Sequence, residues 1–186
     1  MKLFKKPVFA FIFAIVVVFA SSLISTDIKL SRKCEKVTAG FYEGINIKGV
    51  RQIPAAECIG VMCTDSEDMV LKAGNYGIDT EDLVSVTAGL KQHISRKTPD
   101  LEALFQEFNV FYSSTLMLEN QLKNAALSDR HQAELTESFD EFEQMAKTLA
   151  ASGYNDTVGR FMKKFDRFPT RQIAELLNIE FPAYFG

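Results

Sequence analysis

Four side chains that could bind a metal ion lie between positions 131 and 141: His131, Glu134, Glu137 and Glu141. Helical bundles that hold two metal ions use Glu-x-x-His pairs on facing helices. Neither His131 nor His93, the other histidine, follows a Glu by three residues. Large apolar residues separate the acidic side chains, as expected for the solvated face of an amphipathic helix. We interpret the four residues as such a face, and we expect neither a metal site nor a cofactor.

The sequence offers little support for other catalytic chemistry. Asp140, Glu141 and Glu143 are close along the chain, but glycosidases need two carboxyl groups that face each other across a cleft. The sequence contains no nucleophile elbow, phosphate-binding loop, dinucleotide-binding fingerprint or HExxH motif. The serine and cysteine residues have no identifiable base nearby in the sequence. We therefore expect a non-enzymatic protein, and an unrecognised hydrolase is the least favoured alternative.

The cysteines indicate packing and not cross-linking. Cys34, Cys58 and Cys63 are an odd number at low density, which does not fit a disulfide scaffold. Cys58 and Cys63 are five residues apart, so they lie on different sides of one helix and cannot form a CxxC zinc hook. We expect three buried apolar thiols.

The charge of the chain excludes a general nucleic-acid-binding role. The 21 basic and 24 acidic residues give a net charge of −3. Without the three lysines that precede the first apolar segment, 18 basic residues face 24 acidic ones, so the rest of the chain carries −6. The one basic cluster found in this body comprises Lys29, Arg32, Lys33 and Lys36. Its position just past the apolar segment favours contact with lipid head groups or a plain solvated helix face, and no nucleic acid is expected as a partner.

The amino terminus has the composition of a membrane anchor or of a signal peptide. Three lysines, at positions 2, 5 and 6, precede an uninterrupted apolar run over residues 8–20 that extends to Ile24. Crossing the hydrocarbon of a bilayer takes roughly 17–25 residues, which residues 7–25 provide. Val18-Phe19-Ala20 would serve as a cleavage site, but apolar residues continue past it. We predict an uncleaved single-pass signal anchor over residues 1–26, with a cytoplasmic amino terminus and an extracytoplasmic body; the alternative is a secreted protein.

Residues 27–186 are predicted to form one all-α domain. The strongest helical periodicity lies between Leu101 and Leu122, where large apolar side chains recur at steps of three, four or seven. Thr98-Pro99-Asp100 predicts the start of this helix, with Thr98 as its cap, and Ser128 is the predicted cap of the next helix. No alternating run of β-branched residues predicts a strand. Because the connections are short, we expect about four long antiparallel helices.

The remaining boundaries follow from turn-forming residues. Residues 31–43 are predicted to be a helix that is followed by a loop containing Asn46 and Gly49, and Pro54 is predicted to open the next helix. Ser152-Gly153 is a possible kink in the helix that begins after Ser128. After Pro169, a short final turn is predicted, and the apolar side chains that follow it are expected to dock against the bundle.

Several short motifs suggest a relationship to one family. In the last third of the chain they comprise Tyr154, Asn155, Val158, Phe161, Phe168, Pro169, Ile173, Ala174, Leu176, Tyr184 and Phe185. A middle stretch contributes Glu119, Asn120 and Leu122. On these residues, which span about half of the chain together with the apolar amino terminus, the sequence resembles the LemA family of bacterial membrane proteins. The resemblance implies an antiparallel bundle of about four long helices on a membrane anchor, and a structural role for the motif residues. Residues 31–97 depart from the family pattern, since only Arg51-Gln52-Ile53-Pro54 is similar to its Asp-Leu-Ile-Pro-Asn-Leu-type motif.

These observations favour a non-enzymatic helical protein of the bacterial cell envelope. Residues 7–25 are expected to contact the lipid bilayer, and the body is expected to bind or organise other proteins that the sequence does not identify. The alternative is a secreted helical module that binds a small ligand or a peptide in a groove between helices.

Overall fold

The chain is mostly helical, which confirms the predicted all-α class. The structure, a computed structural model, describes residues 7–98, 100–125, 127–167 and 169–186. Between residues 7 and 22 it describes the side chains of Phe13, Val16, Val17, Val18 and Ser21 alone. The elements in chain order are α1 (Pro7–Glu43), β1 (Asn46–Ile47), β2 (Val50–Arg51), α2 (Ala55–Gly74), α3 (Glu81–Ser95), α4 (Leu101–Asn124), α5 (Asp129–Ala150), α6 (Tyr154–Phe165) and α7 (Thr170–Leu176).

Helix α1 is continuous from Pro7 to Glu43, whereas the sequence analysis divided this stretch into an anchor over residues 1–26 and a separate helix over residues 31–43. No proline or glycine interrupts it before Gly40, so nothing local ends the helix between the two parts. Across the residues that the structure describes, no helix combines the length and the apolar character needed to cross a membrane. Most side chains of the predicted anchor lie outside the described part of the chain, and the anchor stays a prediction.

A short β-hairpin joins α1 to α2, where the sequence predicted a loop without strands. β1 and β2 pair antiparallel, with Asn46 opposite Arg51 and Ile47 opposite Val50. The two turn residues, Lys48 and Gly49, both have positive φ angles, of 53° and 87°. Tight two-residue hairpin turns require this geometry. Each strand has only two residues, which is too short for an alternating sequence pattern to indicate a strand.

The helix starts agree with the sequence to within a few residues. Ser128 caps α5 as predicted, since its hydroxyl accepts a hydrogen bond from the backbone N–H of His131. The cap of α4 is Asp100 and not Thr98, because the Asp100 carboxylate accepts the N–H of Ala103 at 2.9 Å. Pro99, which the prediction placed at the first helical position, lies outside the described residues.

The predicted kink at Ser152-Gly153 is a complete break between two helices. α5 ends at Ala150 and α6 begins at Tyr154. Gly153 between them has a φ of +72°, and a Cβ atom there would come within 2.6 Å of the Ile47 side chain. Only glycine combines this backbone conformation with this close approach at little cost.

The chain divides into two compact units. Unit 1 comprises Met1–Val37 and Gly159–Pro182, and unit 2 comprises Thr38–Val158 and Ala183–Gly186. The single domain predicted over residues 27–186 stays a prediction, and each unit is described by itself.

Unit 1 has a small core that joins parts of three helices. Leu30 and Cys34 of α1, Phe161 of α6 and Ala174 of α7 are buried together. Phe161 lies 4.8 Å from the ring of Phe165 and 5.6 Å from the ring of Phe181, measured between ring centroids. Partly buried apolar side chains, among them Val37 and Met162, close the cluster.

Unit 2 holds α2, α3, α4 and α5 around a larger core, in which α2 packs against α3, α4 and α5. Burial of large side chains such as Ile59, Leu90, Phe111 and Phe142 removes apolar surface from water, which is the main favourable term in folding. Cys58 and Cys63 are both fully buried on α2, and Cys34 is buried in unit 1, so the prediction of buried thiols is confirmed.

Candidate ligand-binding cavity

An aromatic cluster in unit 2 is built from the helical periodicity that the sequence shows most clearly. Phe105, Phe108 and Tyr112 recur along α4 at steps of three and four, which brings their side chains to one face. Phe108 lies 5.9 Å from Tyr112, and Tyr112 stacks on Phe142 of α5 at 5.5 Å. Aromatic pairs at these separations add to the stability gained from burial alone.

Residues 183–186 extend this cluster from a distant part of the sequence. The ring of Phe185 lies 4.9 Å from Phe41, 5.2 Å from Phe105 and 5.6 Å from Phe108. Phe41 in turn meets the ring of Tyr154 edge to face at 5.3 Å. Phe185 is thus enclosed by rings from α1 and α4.

Polar contacts hold the backbone of this segment. The Asn155 side chain donates from Nδ2 to the carbonyl oxygen of Phe185 at 2.8 Å and accepts the N–H of the same residue on Oδ1 at 2.9 Å. The Tyr154 hydroxyl donates to the carbonyl oxygen of Ala183 at 3.0 Å. Burial raises the pKa of the Tyr154 hydroxyl well above its usual range, so this group stays protonated and keeps its role as donor.

A cavity of about 430 Å³ lies beside Phe185. Its walls are the aromatic face of α4, the end of α5, the turn at Gly153 and the first turn of α6. Known binding pockets for small molecules fall in the range of about 300–1,000 Å³ and are lined mainly by apolar and aromatic side chains. Size and lining both match a binding site for a small molecule or a side chain.

The cavity has few polar groups around it, and the charge they carry is negative. Asn109, Ser152 and Asn155 supply uncharged hydrogen-bonding groups, and Asp156 is the only charged residue among the residues described as its lining. Asp156 is solvent-exposed in the first turn of α6. The electrostatics of this lining favour a neutral or cationic ligand over an anionic one.

Two of the four residues singled out from the sequence as possible metal ligands, His131 and Glu134, have other partners, and Glu137 and Glu141 are exposed. His131 shares a hydrogen bond of 2.7 Å with the Tyr76 hydroxyl, and Glu134 forms an ion pair with Arg130 at 2.8 Å. Within the described part of the chain, no three His, Cys, Asp or Glu side chains are grouped so that they could hold a metal ion.

One buried carboxyl group lies elsewhere in unit 2. Asp65 of α2 is only 6% exposed, and its Oδ2 has no hydrogen-bond partner among the described residues. Burial, assisted by the negative charges of Glu141 and Asp68, raises its pKa to about 6. The adjacent Ser66 hydroxyl bonds to Thr115 of α4 at 3.2 Å.

The family-motif residues fall into different places. In unit 2, Tyr154, Asn155 and Phe185 line the cavity, and Asn155 bonds to the backbone of Phe185. Val158 is buried, and Tyr184 is 46% exposed. On α4 in the same unit, Glu119 is buried and ion-paired with Lys123, Leu122 is buried, and Asn120 is exposed. In unit 1, Phe161 and Ala174 are in the core, Ile173 is half-buried, and Pro169 and Leu176 are exposed. Phe168 lies outside the described residues.

Several cavity residues from separate elements could not be predicted from the sequence. Phe41, Asn109 and Asp156 gave no motif, because a wall assembled from α1, α4 and α6 has no fixed spacing in the sequence. The one available signal was Gly153, directly before the helix start at Tyr154. Comparisons with models of protein families, with curated proteins and with solved structures give no match to this chain.

Proposed function

We propose that this protein is a non-enzymatic helical binding module that is held at a membrane by residues 7–25 and takes up a small aromatic or apolar ligand in unit 2. The observation that carries the proposal is the cavity of about 430 Å³, because its aromatic walls offer apolar contact and its few polar groups can fix orientation. The ligand class follows from the lining: a flat apolar body with an uncharged or cationic polar group.

A pair of substitutions on α5 tests the binding site. Ala146 is half-buried and lines the cavity, so Ala146→Phe fills it, whereas Ala133 is exposed on the same helix and does not line it. Ala133→Phe is therefore the matched control. Indole, tryptamine and indole-3-acetate share one ring system and differ in charge, and their binding can be measured by ligand-observed NMR.

We expect wild type and Ala133→Phe to bind tryptamine and indole more tightly than indole-3-acetate by a few-fold, since Asp156 repels the anion. Ala146→Phe should weaken binding by about tenfold or more, because a ring placed in the cavity removes most of the apolar contact. Identical binding by all three proteins would refute the cavity as the site.

The membrane attachment is supported by the exposed apolar surface at the start of α1. Phe13, Val16, Val18 and Ile24 are each more than half exposed, at 59%, 57%, 70% and 60%. The hydrocarbon of a bilayer would cover these side chains, and it fits a helix with an apolar start. The body is placed outside the cytoplasm in this proposal. Sequencing of the mature amino terminus tests the uncleaved anchor: a new terminus near Ser21 would instead support the secreted alternative.

The LemA-like bundle of about four long helices remains part of the proposal. Its support is that two separated pieces of the motif meet: Asn155 bonds to the backbone of Phe185, and the rings of Tyr154 and Phe185 both pack on Phe41. This contact explains why these residue types occur together in the motif: they hold each other in place.

A further inference from the structure

The two units differ in charge. Unit 1 has four basic and two acidic residues between positions 27 and 37, and five basic and three acidic residues between positions 159 and 182. Unit 2 has 9 basic and 19 acidic residues, a net charge of −10. The basic excess therefore belongs to the unit that also contains the apolar start of α1.

Two rows of basic side chains account for this excess. The α1 row is Lys29, Arg32, Lys33 and Lys36, and the α6 row is Arg160, Lys163, Lys164 and Arg167. Both rows have the spacing i, i+3, i+4, i+7, which places side chains on one face of a helix; Arg167 follows two residues after the end of α6. All eight side chains are exposed. The α1 row is therefore not the one basic cluster of the body, and the prediction of a single cluster is wrong.

The two rows meet at the ring of Phe165. The ammonium group of Lys33, on α1, lies 4.7 Å from the centre of this ring, and that of Lys164, on α6, lies 5.5 Å from it. The core of unit 1 fixes the two helices in this arrangement, since Leu30 and Cys34 pack with Phe161. One ring therefore carries a lysine from each row, and the rows join into one surface, here called the basic surface.

Acidic neighbours in unit 1 are partly engaged elsewhere. Asp166 and Glu175 both pair with Arg171, at 3.2 and 3.1 Å. Arg171 is outside both rows, so these two carboxylates share a cationic partner that the rows do not supply. The surplus positive charge of unit 1 is thus concentrated in the two rows.

We propose that the basic surface binds the anionic phospholipid head groups of the membrane in which α1 is anchored; the inference rests on the proposed attachment through residues 7–25. The α1 row begins five residues after Ile24, about 7 Å along the helix axis, and so falls at the level of head groups once the apolar run is in the hydrocarbon. Each lysine or arginine held at an anionic surface strengthens attachment several-fold.

The test compares lysine reactivity in the full chain reconstituted in two kinds of lipid nanodisc, one purely zwitterionic and one with about 30% phosphatidylglycerol. Acylation by an amine-reactive reagent is followed for each lysine by mass spectrometry. Lys33, Lys163 and Lys164 should react at least about threefold more slowly in the anionic discs, and about 0.5 M NaCl should remove the difference. Lys97 and Lys147, exposed residues of unit 2, serve as internal controls and should react equally in both discs.

A triple variant tests the cooperation of the rows. This variant combines Lys163→Gln, Lys164→Gln and Arg167→Gln. In anionic discs it should restore much of the reactivity of Lys33, because the α6 row no longer helps to hold the surface at the head groups. The matched variant, with Lys97→Gln, Arg130→Gln and Lys147→Gln, has the same change in net charge and should leave Lys33 protected.

The outcomes separate this inference from the proposed anchor. Incorporation into both discs with equal lysine reactivity overturns the inference and leaves the anchor standing. Recruitment by anionic discs alone, with the same lysines protected, overturns the anchor and supports the inference. Failure to associate with either disc overturns both. Equal protection by a DNA oligonucleotide added to zwitterionic discs would also overturn the inference, because the surface would then be a general polyanion site.

Discussion

The side-chain amide of Asn155 forms both possible hydrogen bonds with the backbone of Phe185, one to its carbonyl oxygen and one from its N–H. The amide therefore does for this segment what a neighbouring strand does in a sheet. The ring of Phe185 packs among Phe41, Phe105 and Phe108, so hydrogen bonds and aromatic contacts together hold this residue.

Asn155→Ala should lower the free energy of unfolding by about 1–3 kcal/mol, because two hydrogen bonds to partly buried backbone groups are lost. Urea unfolding followed by circular dichroism measures the change. Asn120→Ala, on the exposed face of α4, is the matched control and should change stability by less than about 0.5 kcal/mol. Equal effects of the two substitutions would show that the segment is not held by Asn155.

The Ser66–Thr115 pair should behave as a coupled unit. The Thr115 hydroxyl donates to the carbonyl oxygen of Phe111 at 2.9 Å, so Ser66 is left as the donor in the bond between the two hydroxyls. Thr115→Val should cost about 1–3 kcal/mol, because the buried Ser66 hydroxyl loses its acceptor. In a double-mutant cycle by urea unfolding, adding Ser66→Ala to Thr115→Val should cost little more or recover stability. Strict additivity of the two single changes would argue against a direct bond.

Asp65 should make unit 2 less stable at neutral pH than at mildly acidic pH. Its pKa of about 6 in the folded chain exceeds the ordinary value of an aspartic acid, so folding favours the protonated form. The contribution of this group to stability therefore grows as the pH falls from about 7 towards 4. Asp65→Asn should remove this dependence and raise the stability at pH 7 by about 1–2 kcal/mol, which is less than the full pKa shift corresponds to because solvent screens part of the effect.

Unfolding measured between pH 4 and pH 7 tests the Asp65 prediction. Asp68→Asn, at the exposed neighbouring acidic position, should leave most of the pH dependence in place, since burial is the main cause of the raised pKa. A wild type and an Asp65→Asn variant with parallel pH profiles would rule out this role of Asp65.

Two glycine-to-alanine substitutions should change the stability of the protein in opposite directions. Gly153→Ala should destabilise the protein by about 1–2 kcal/mol, because the φ of +72° is unfavourable for alanine and the new Cβ would meet Ile47. Gly89→Ala, in the middle of α3 with no atom close to the new Cβ, should stabilise it by about 0.5–1 kcal/mol. Thermal unfolding of both variants checks the pair; a neutral Gly153→Ala would mean that the α5–α6 break is not fixed at this residue.

Repeating patterns in the sequence predicted most of the helices and the aromatic stripe of α4, which forms one part of the cavity wall. Phe105, Phe108 and Tyr112 belong to one helical stripe, so their common face could be read from spacing. The partnership of Asn155 with Phe185 could not, because it joins residues 30 positions apart through a contact that no local pattern encodes. The contacts of Phe41 with Tyr154 and Phe185 could not be predicted for the same reason, since they form only when the chain folds.

Local propensity also explains the misplaced boundaries. Thr98 and Asp100 are both good caps, and the helix starts one residue after Asp100 because its carboxylate reaches the N–H of Ala103. The hairpin escaped detection because its strands have two residues each, too few for an alternating pattern.

The buried thiols can serve as probes of the transient opening of each unit. Burial raises the pKa of Cys34 to about 11 and that of Cys63 to about 12, and it raises the pKa of Cys58 as well, so the closed protein presents almost no thiolate. A thiol-specific alkylating reagent can therefore modify them only when the surrounding helices separate. Cys34 belongs to unit 1, and Cys58 and Cys63 belong to unit 2. The alkylation rates of these cysteines in the unmodified chain therefore measure how often each unit opens.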